Sequence, residues 1–455
     1  MRKKIKAIIF ISAFFLLPLA GYNAFGAVTA EEAATLKTTL TPLGAERAGN
    51  KEGTIPAWTG GLTKPLQGFV NGGVRSQDPF PDEKPLYSIT VKNMEQYADK
   101  LTEGIKGLMK KYPDTYRIDV YPTHRTQAAP QWVYDNTFTN ATRAKLNGME
   151  LEGAYGGIPF PIPKSGAEVI WNHLTRWRGT SIYTQFWAYY GTEDGKHVLT
   201  LDGVNDTQVP YYDPNGSLET YKGVYWQVRA MNSGPPIRAG EGLVGLKGNS
   251  PGNEKTWTYL TGQRRVRRLP NSCCDSPTPF SAGLSTFDEV EVFGGSDSLE
   301  RFNWKIVGKK EIYLPYNSNK LNGPTVEEAL MPHHVNPDYV RWELHRVWVI
   351  EAELKEGQRH VCPRSRYYVD EDSWIAVLGE RWDANGQLWR VMFSVLAAAP
   401  DIPANVAEYW GYYDLVGGTF FLNQVWNKKE VQYKMVPIYP DATFSPNGLA
   451  GWSVR

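Results

Sequence analysis

The stretch that most constrains this chain runs over residues 344–395. Trp348, Ile350, Ala352 and Leu354 alternate there with Val347, Val349, Glu351 and Glu353. A period of two puts successive side chains on opposite faces of a strand. Residues 366–370 pass through Glu371-Asp372-Ser373 into a further run over 374–381. Asp383-Ala384-Asn385-Gly386 is a turn signal. After it Trp389, Val391, Phe393 and Val395 alternate with Leu388, Arg390, Met392 and Ser394. The pattern predicts an antiparallel meander, wet on one side or paired on both. Further strands are predicted over 183–190, 196–201, 224–231 and 301–313.

Helical periodicity lies mostly ahead of these strands. Val91, Met94, Ala98, Leu101, Ile105, Leu108 and Tyr112 recur at steps of three and four, one stripe of an amphipathic helix. Thr90 is its expected N-cap and Pro113 its stop. A weaker helix is predicted over 131–146 and a short one over 29–40. Ser165 and Glu168 stand at capping-box spacing before Ile170, Trp171 and Leu174. Residues 27–87 carry apolar anchors (Ile55, Trp58, Leu62, Phe69) without periodicity and read as an extended arm. Residues after Pro400 read as one short helix and loops. Arm, helices, then many antiparallel strands predict an α+β fold, a large sheet with helices on one face. The expected organisation is 1–26 leader, 27–87 arm, and 88–455 one domain on which the arm packs.

Arg2, Lys3, Lys4 and Lys6 precede an apolar run over 8–19, and Ala24-Phe25-Gly26 offers small residues for cleavage. This is a secretory leader, cut near Gly26, so the chain is expected to be exported and soluble. No later stretch is apolar enough to span a bilayer. The formal net charge of +1 over 455 residues lacks the basic bias of a nucleic-acid binder. Aromatics, with 16 Trp and 26 Tyr, suit strands and the walls of apolar grooves. Export permits disulfides. Neighbouring cysteines rarely bond each other, which leaves a bridge from Cys273 or Cys274 to Cys362, or free thiols.

Residues 257–268 read as a hairpin about Thr261-Gly262-Gln263, with Trp257 and Tyr259 on one face of its first strand. Its second strand sends Arg264, Arg265, Arg267 and Arg268 to both faces. Three uses fit these arginines: salt bridges within the sheet, to Glu289, Glu291, Glu351 or Glu353; recognition of an anion such as a lipid head; or docking to a partner. Nucleophile-elbow, zinc-protease, phosphate-loop and dinucleotide motifs do not occur, so no catalytic residue, metal or cofactor is assigned. His333-His334 with His345 is too loose a pattern for a metal site, because neighbours on a strand point apart. Asp370, Glu371 and Asp372 are read as turn residues, with a glycosidase-like pair as the sharper alternative.

Thr41-Pro42-Leu43-Gly44-Ala45-Glu46-Arg47-Ala48-Gly49-Asn50 and Gly153-Ala154-Tyr155-Gly156-Gly157-Ile158-Pro159-Phe160-Pro161, together with residues 53–61, 263–267, 308–313 and 368–374, resemble domain of unknown function family 1329. Cys273-Cys274 does not belong to that pattern. The resemblance covers nearly the whole mature chain. It implies an exported Gram-negative protein related to outer-membrane lipoprotein-sorting proteins, with an unclosed, strongly curved antiparallel β-barrel and helices over an apolar cavity. Members are often encoded beside a resistance-nodulation-division exporter and an outer-membrane barrel-like protein, and no catalytic residues are established for them. The leading expectation is a periplasmic carrier of a lipid or other hydrophobic molecule, working with an export system, with peripheral outer-membrane association as an option. In it Trp257, Tyr259, Trp348, Trp374 and Trp389 would line or back the cavity, and the four arginines would hold a polar head or a partner. The alternatives are an envelope hydrolase of glycans or esters, and an assembly factor bridging exporter and barrel.

Overall fold

A computed structural model describes residues 27–453; the expected leader, residues 1–26, lies outside the described residues. Helix α1 (Ala30–Ala34) is capped by Thr29 and Glu32, each side chain accepting from the other's backbone N–H. Strand β1 (Tyr87–Ile89), helix α2 (Glu103–Lys111), strand β2 (Ile118–Val120) and helix α3 (Gln131–Arg143) follow. A small hairpin, β3 (Lys145–Asn147) and β4 (Glu150–Glu152), leads to α4 (Gly166–Leu174). Six strands come next: β5 (Ser181–Gly191), β6 (His197–Gln208), β7 (Val224–Gly234), β8 (Gly242–Gly248), β9 (Lys255–Leu260) and β10 (Arg265–Arg268). An irregular connection then reaches β11 (Phe302–Pro315), after which come α5 (Val326–Ala329), β12 (Leu330–Met331) and β13 (His334–Val335). The meander is β14 (Trp342–Leu354), β15 (Arg364–Asp370), β16 (Ala376–Trp382) and β17 (Leu388–Ala399). It continues through β18 (Ala404–Asp414) and β19 (Phe420–Val425), and the chain ends with β20 (Lys434–Met435) and α6 (Pro446–Ser453).

Sixteen strands form one sheet, whose longest path runs β1-β2-β14-β15-β16-β17-β18-β19-β5-β6-β7-β8-β9-β10. β11 pairs with β14, and β20 with β5. All pairings are antiparallel except the single parallel contact of Trp342 with Val120. The sheet is unclosed, since β10 pairs with β9 alone and β1 with β2 alone. This is the large antiparallel sheet with few helices that the alternation predicts. No helix among the described residues is long and apolar enough to cross a membrane.

Both faces of the central strands are buried. On one, Tyr367, Val369, Trp374, Met392, Trp410 and Phe421 pack with Val133 of α3 and Ile170, Trp171 and Leu174 of α4. On the other, Val347, Val377, Val391, Phe393 and Leu422 pack with Ile105, Leu108 and Met109 of α2. The capping box of α4 is present. The single helix expected to start at Thr90 is broken instead. Thr90 closes a turn with the Asn93 side chain, residues 94–97 form one 3-10 turn, and Thr102 caps α2 by accepting from Ile105 N. The larger correction concerns residues 404–425, which form β18 and β19 in the middle of the sheet. β18 is buried on both faces, so it lacks the polar alternation that marks a half-buried strand. Gly411 is needed there, because a Cβ would collide with the Phe421 carbonyl.

Residues 41–58 are tied to this core by polar contacts. Arg125 bonds both carboxylate oxygens of Asp372, at 2.8 and 2.7 Å, and also donates to the carbonyls of Glu46, Arg47 and Pro56. The Trp374 indole donates to Leu43 O at 2.8 Å, and the Trp58 indole to Gln127 O at 3.0 Å. Breaking a buried pair strands its partner's charge. Arg125→Met should therefore cost about 3–5 kcal/mol in urea denaturation, and limited proteolysis should then cut within residues 46–56.

Candidate ligand cavity

Strands β5 to β8 direct alternate side chains to one side: Ile182, Thr184 and Phe186; Asn205 and Thr207; Trp226, Val228 and Ala230; Leu243 and Gly245. These residues enclose a cavity of about 160 Å³, closed further by Trp410, Trp426 and Tyr433. No helix covers this end. Its cover is the connection after β10, through Phe280, Phe287 and Val290. A wider cleft of about 520 Å³ lies on the other side of β7, but Asp213, Asn215, Lys222 and Asp441 line it, and it suits water better than an apolar guest.

The cover has no α-helix or strand, only short 3-10 turns over 279–281, 287–289 and 296–301, so much of its backbone depends on specific partners. Thr278, Ser281 and Ser285 bond among themselves, Arg238 donates to the carbonyls of Pro279 and Phe280, and Tyr412 donates to Leu284 O. Asp288 accepts from His360 at 2.8 Å and pairs with Arg381. Burial opposes the Asp288 charge, yet Arg381 and His360 outweigh it and hold the carboxyl far below the usual range. Glu291 and Val292 have φ of +51° and +76°, a region a β-branched residue enters only under constraint. The constraint is visible: Val292 is buried in the core, and Glu291 pairs with Arg176 and, at 2.6 Å, with Arg178.

The cavity's polar end holds Arg178, Glu291, Lys247 and Glu254. Burial raises the Glu254 carboxyl, although it accepts from Ser296 N at 2.7 Å. Burial and two arginines push His173 well below its ordinary value, so it is neutral. It accepts at Nδ1 from Ala376 N and donates at Nε2 to Phe293 O.

The residues singled out from sequence lie elsewhere. The arginine hairpin forms, with Arg265 opposite Leu260 and Arg268 opposite Trp257, but it is the outer edge of the sheet. Arg264, Arg265, Arg267 and Arg268 are exposed, and none makes an ion pair among the described residues. The expected carboxylate partners are engaged elsewhere: Glu289 with Arg390 and Arg381, Glu291 with Arg176 and Arg178, Glu351 with Arg364 and Arg366, while Glu353 is exposed. Trp257 and Tyr259 face α6, packing around Phe444 and Leu449. Trp348 stacks on Trp374 under Lys309, and Trp389 donates to Asp414. None of these five aromatics lines the cavity. Phe186, Trp226, Trp410 and Trp426 do; their signal was a strand aromatic like any other, and only the tertiary fold separates the two sets. The expected bridge to Cys362 is also corrected. Cys273 and Cys274 are bonded to each other, with Cα atoms 3.7 Å apart, and Cys362 is a buried thiol raised by burial to about 11.

Asp370 serves the turn as expected, but Asp370, Glu371 and Asp372 do not face solvent. All three are buried, and none lines a cavity. Burial, then the charge of Asp372, raises the Asp370 carboxyl, which holds the turn through Ser373 N and Oγ. His345 stacks on Tyr316 and bonds Glu343 at 3.2 Å. Burial opposes its charge, but Glu343 and Asp370 raise its pKa. Donor atoms of His345, Asp370 and Asp372 converge within 4.8 Å. Arg125 already occupies both oxygens of Asp372, so a guanidinium stands where a cation would go. The His333-His334 pair diverges, His333 onto the Tyr112 ring and His334 onto Thr115.

A family model described as a protein of unknown function, DUF1329, matches residues 88–450. The chain belongs to the DUF1329 family. It is 38% identical over 450 residues to an uncharacterized protein of Pseudomonas aeruginosa, PA3922, covering 96% of this chain and 97% of that one. Among solved structures it is similar to a DUF1329 protein from Desulfovibrio piger, at 12% identity and a TM-score of 0.39, over 60% of this chain and 92% of that one. It is also similar to a LolA superfamily protein from Nitrosomonas europaea, at 9% identity and a TM-score of 0.35, over 62% and 97%.

In this DUF1329 chain the Glu291 pairing is open to direct test. Burial works against its charge, but Arg178 and Arg176 outweigh it and hold the carboxyl at about 2, below its ordinary 4.5. The stabilisation is complete above pH 4.5 and is lost as pH falls towards 2. Glu291→Gln strands two guanidiniums. It should cost about 3 kcal/mol at neutral pH and flatten the acid limb of a plot of melting temperature against pH.

Proposed function

We propose that this protein is exported to the periplasm, where it binds a hydrophobic molecule in the cavity between β5–β8 and the cover after β10 and carries it between envelope components. The observation that carries this reading is the apolar chamber itself: it is walled by Ile182, Phe186, Val228, Ala230, Phe280 and Trp410, at the one end of the sheet face that no helix fills. Apolar clefts with a few placed polar groups are the usual form of small-ligand sites. The basic and apolar leader supports export. Asp372 and Glu371 are paired with Arg125 and Lys309, and all three carboxylates of residues 370–372 are buried, which speaks against the hydrolase reading.

The test is binding of N-phenyl-1-naphthylamine, an uncharged dye that fluoresces in apolar surroundings. The protein should bind it, and Ala230→Phe, which fills the chamber, should weaken binding at least tenfold with the melting temperature held within a few degrees. A dye that binds neither form, or both equally, would remove the cavity from the function.

A second reading attaches to the hairpin, where four exposed guanidiniums meet no carboxylate on this chain among the described residues. We propose it as the face that meets an anionic surface, such as a lipid head-group layer or an acidic envelope partner. Replacing Arg264, Arg265, Arg267 and Arg268 by Gln should abolish co-sedimentation with anionic vesicles at low salt. Dye binding should be unchanged, and raising the salt should mimic the substitution.

A further inference from the structure

Within the cavity one charge has no hydrogen bond. Lys247 lies on the cavity side of β8, and its enclosed Nζ sits over the Trp226 ring, 5.8 Å from the ring centre. Among the described residues no hydrogen bond or ion pair reaches that ammonium. Arg178 and Arg176 share Glu291, and Ser296 N and Oγ both bond Oε1 of Glu254. Asp297 accepts from Gly252 N. Glu254 and Asp297 attract the Lys247 charge through space, but neither bonds it. An ammonium with three empty donors is costly to enclose, and an anion entering the chamber would satisfy it.

The size of the chamber limits what else the guest can carry. About 160 Å³ holds roughly ten waters, and a methylene displaces about as much as a water, so the room is that of one chain of about ten carbons. The charge of the guest is limited too, because Glu254 and Glu291 line the same end and would repel a dianion.

We propose that the guest is a single-chain amphiphile ending in a carboxylate, and that Lys247 receives its head while Phe186, Trp226, Val228 and Trp410 hold the chain. This rests on the cavity reading above and names the ligand class for it. Lys247 acts by binding, with no covalent step.

Displacement of bound N-phenyl-1-naphthylamine tests it, with decanoic acid, decan-1-ol and decyl phosphate as competitors at pH 7.5. Decanoate should displace the dye at a concentration at least tenfold lower than the alcohol does. Lys247→Met should erase that preference, and Lys247→Arg should restore it. Equal competition by acid and alcohol, or a preference that survives Lys247→Met, overturns the role of Lys247 and leaves the cavity reading standing. Decyl phosphate competing as well as decanoate overturns the carboxylate assignment alone. Failure of the dye and of all three competitors to bind overturns the cavity reading and this inference with it. Should Lys247→Met melt more than a few degrees lower, Lys247→Gln serves in its place, and a preference that survives it overturns the role equally.

Discussion

A sheet that buries both faces needs a cover on each, and most of this structure follows from how the covers are supplied. α2 lies over one face of the central strands. α3 and α4 lie over the other. Over the cavity a segment of loops and short 3-10 turns takes over, and such a segment must find partners for its buried backbone groups. The side chains of Arg238, Tyr412 and Arg381 supply those partners. The cavity is what remains because such a segment spans the strands without filling the space beneath them as a helix would.

The same segment explains the placement of charge. Asp288, Glu289 and Glu291 face Arg381, Arg390, Arg176 and Arg178 from the sheet and from the end of α4. These pairs substitute for the apolar packing that fixes the helices, and they impose geometry that apolar contact would not. The left-handed backbone at Glu291 and Val292 is the local cost of bringing that carboxylate onto two guanidiniums while burying a valine. Against this background of matched charges Lys247 stands out, since the rest of the chain pairs its buried cations closely.

Much of the architecture was legible. Alternation at Trp348, Ile350 and Ala352 marked β14, Asp383 to Gly386 marked the turn into β17, and Ser165 with Glu168 marked the start of α4. Alternation failed where its cause was absent. β18 is wrapped in protein on both sides, so Glu408 and Tyr409 are equally buried and no period appears. The stripe from Val91 to Tyr112 ran across a break at Leu101-Thr102, because a stripe records which residues face the core and not whether one helix carries them.

The site was much less legible. Local sequence by itself determined the hairpin of residues 257–268 and the antiparallel order of the meander, since turn chemistry and alternation act between neighbours. It did not determine which aromatics meet an empty space, or that Asp370, Glu371 and Asp372 would be sealed under Arg125 and Lys309. Those outcomes depend on residues 60 to 250 positions apart meeting across the sheet. Only the tertiary structure decides which polar groups are matched there and which, Lys247 among them, have no hydrogen bond.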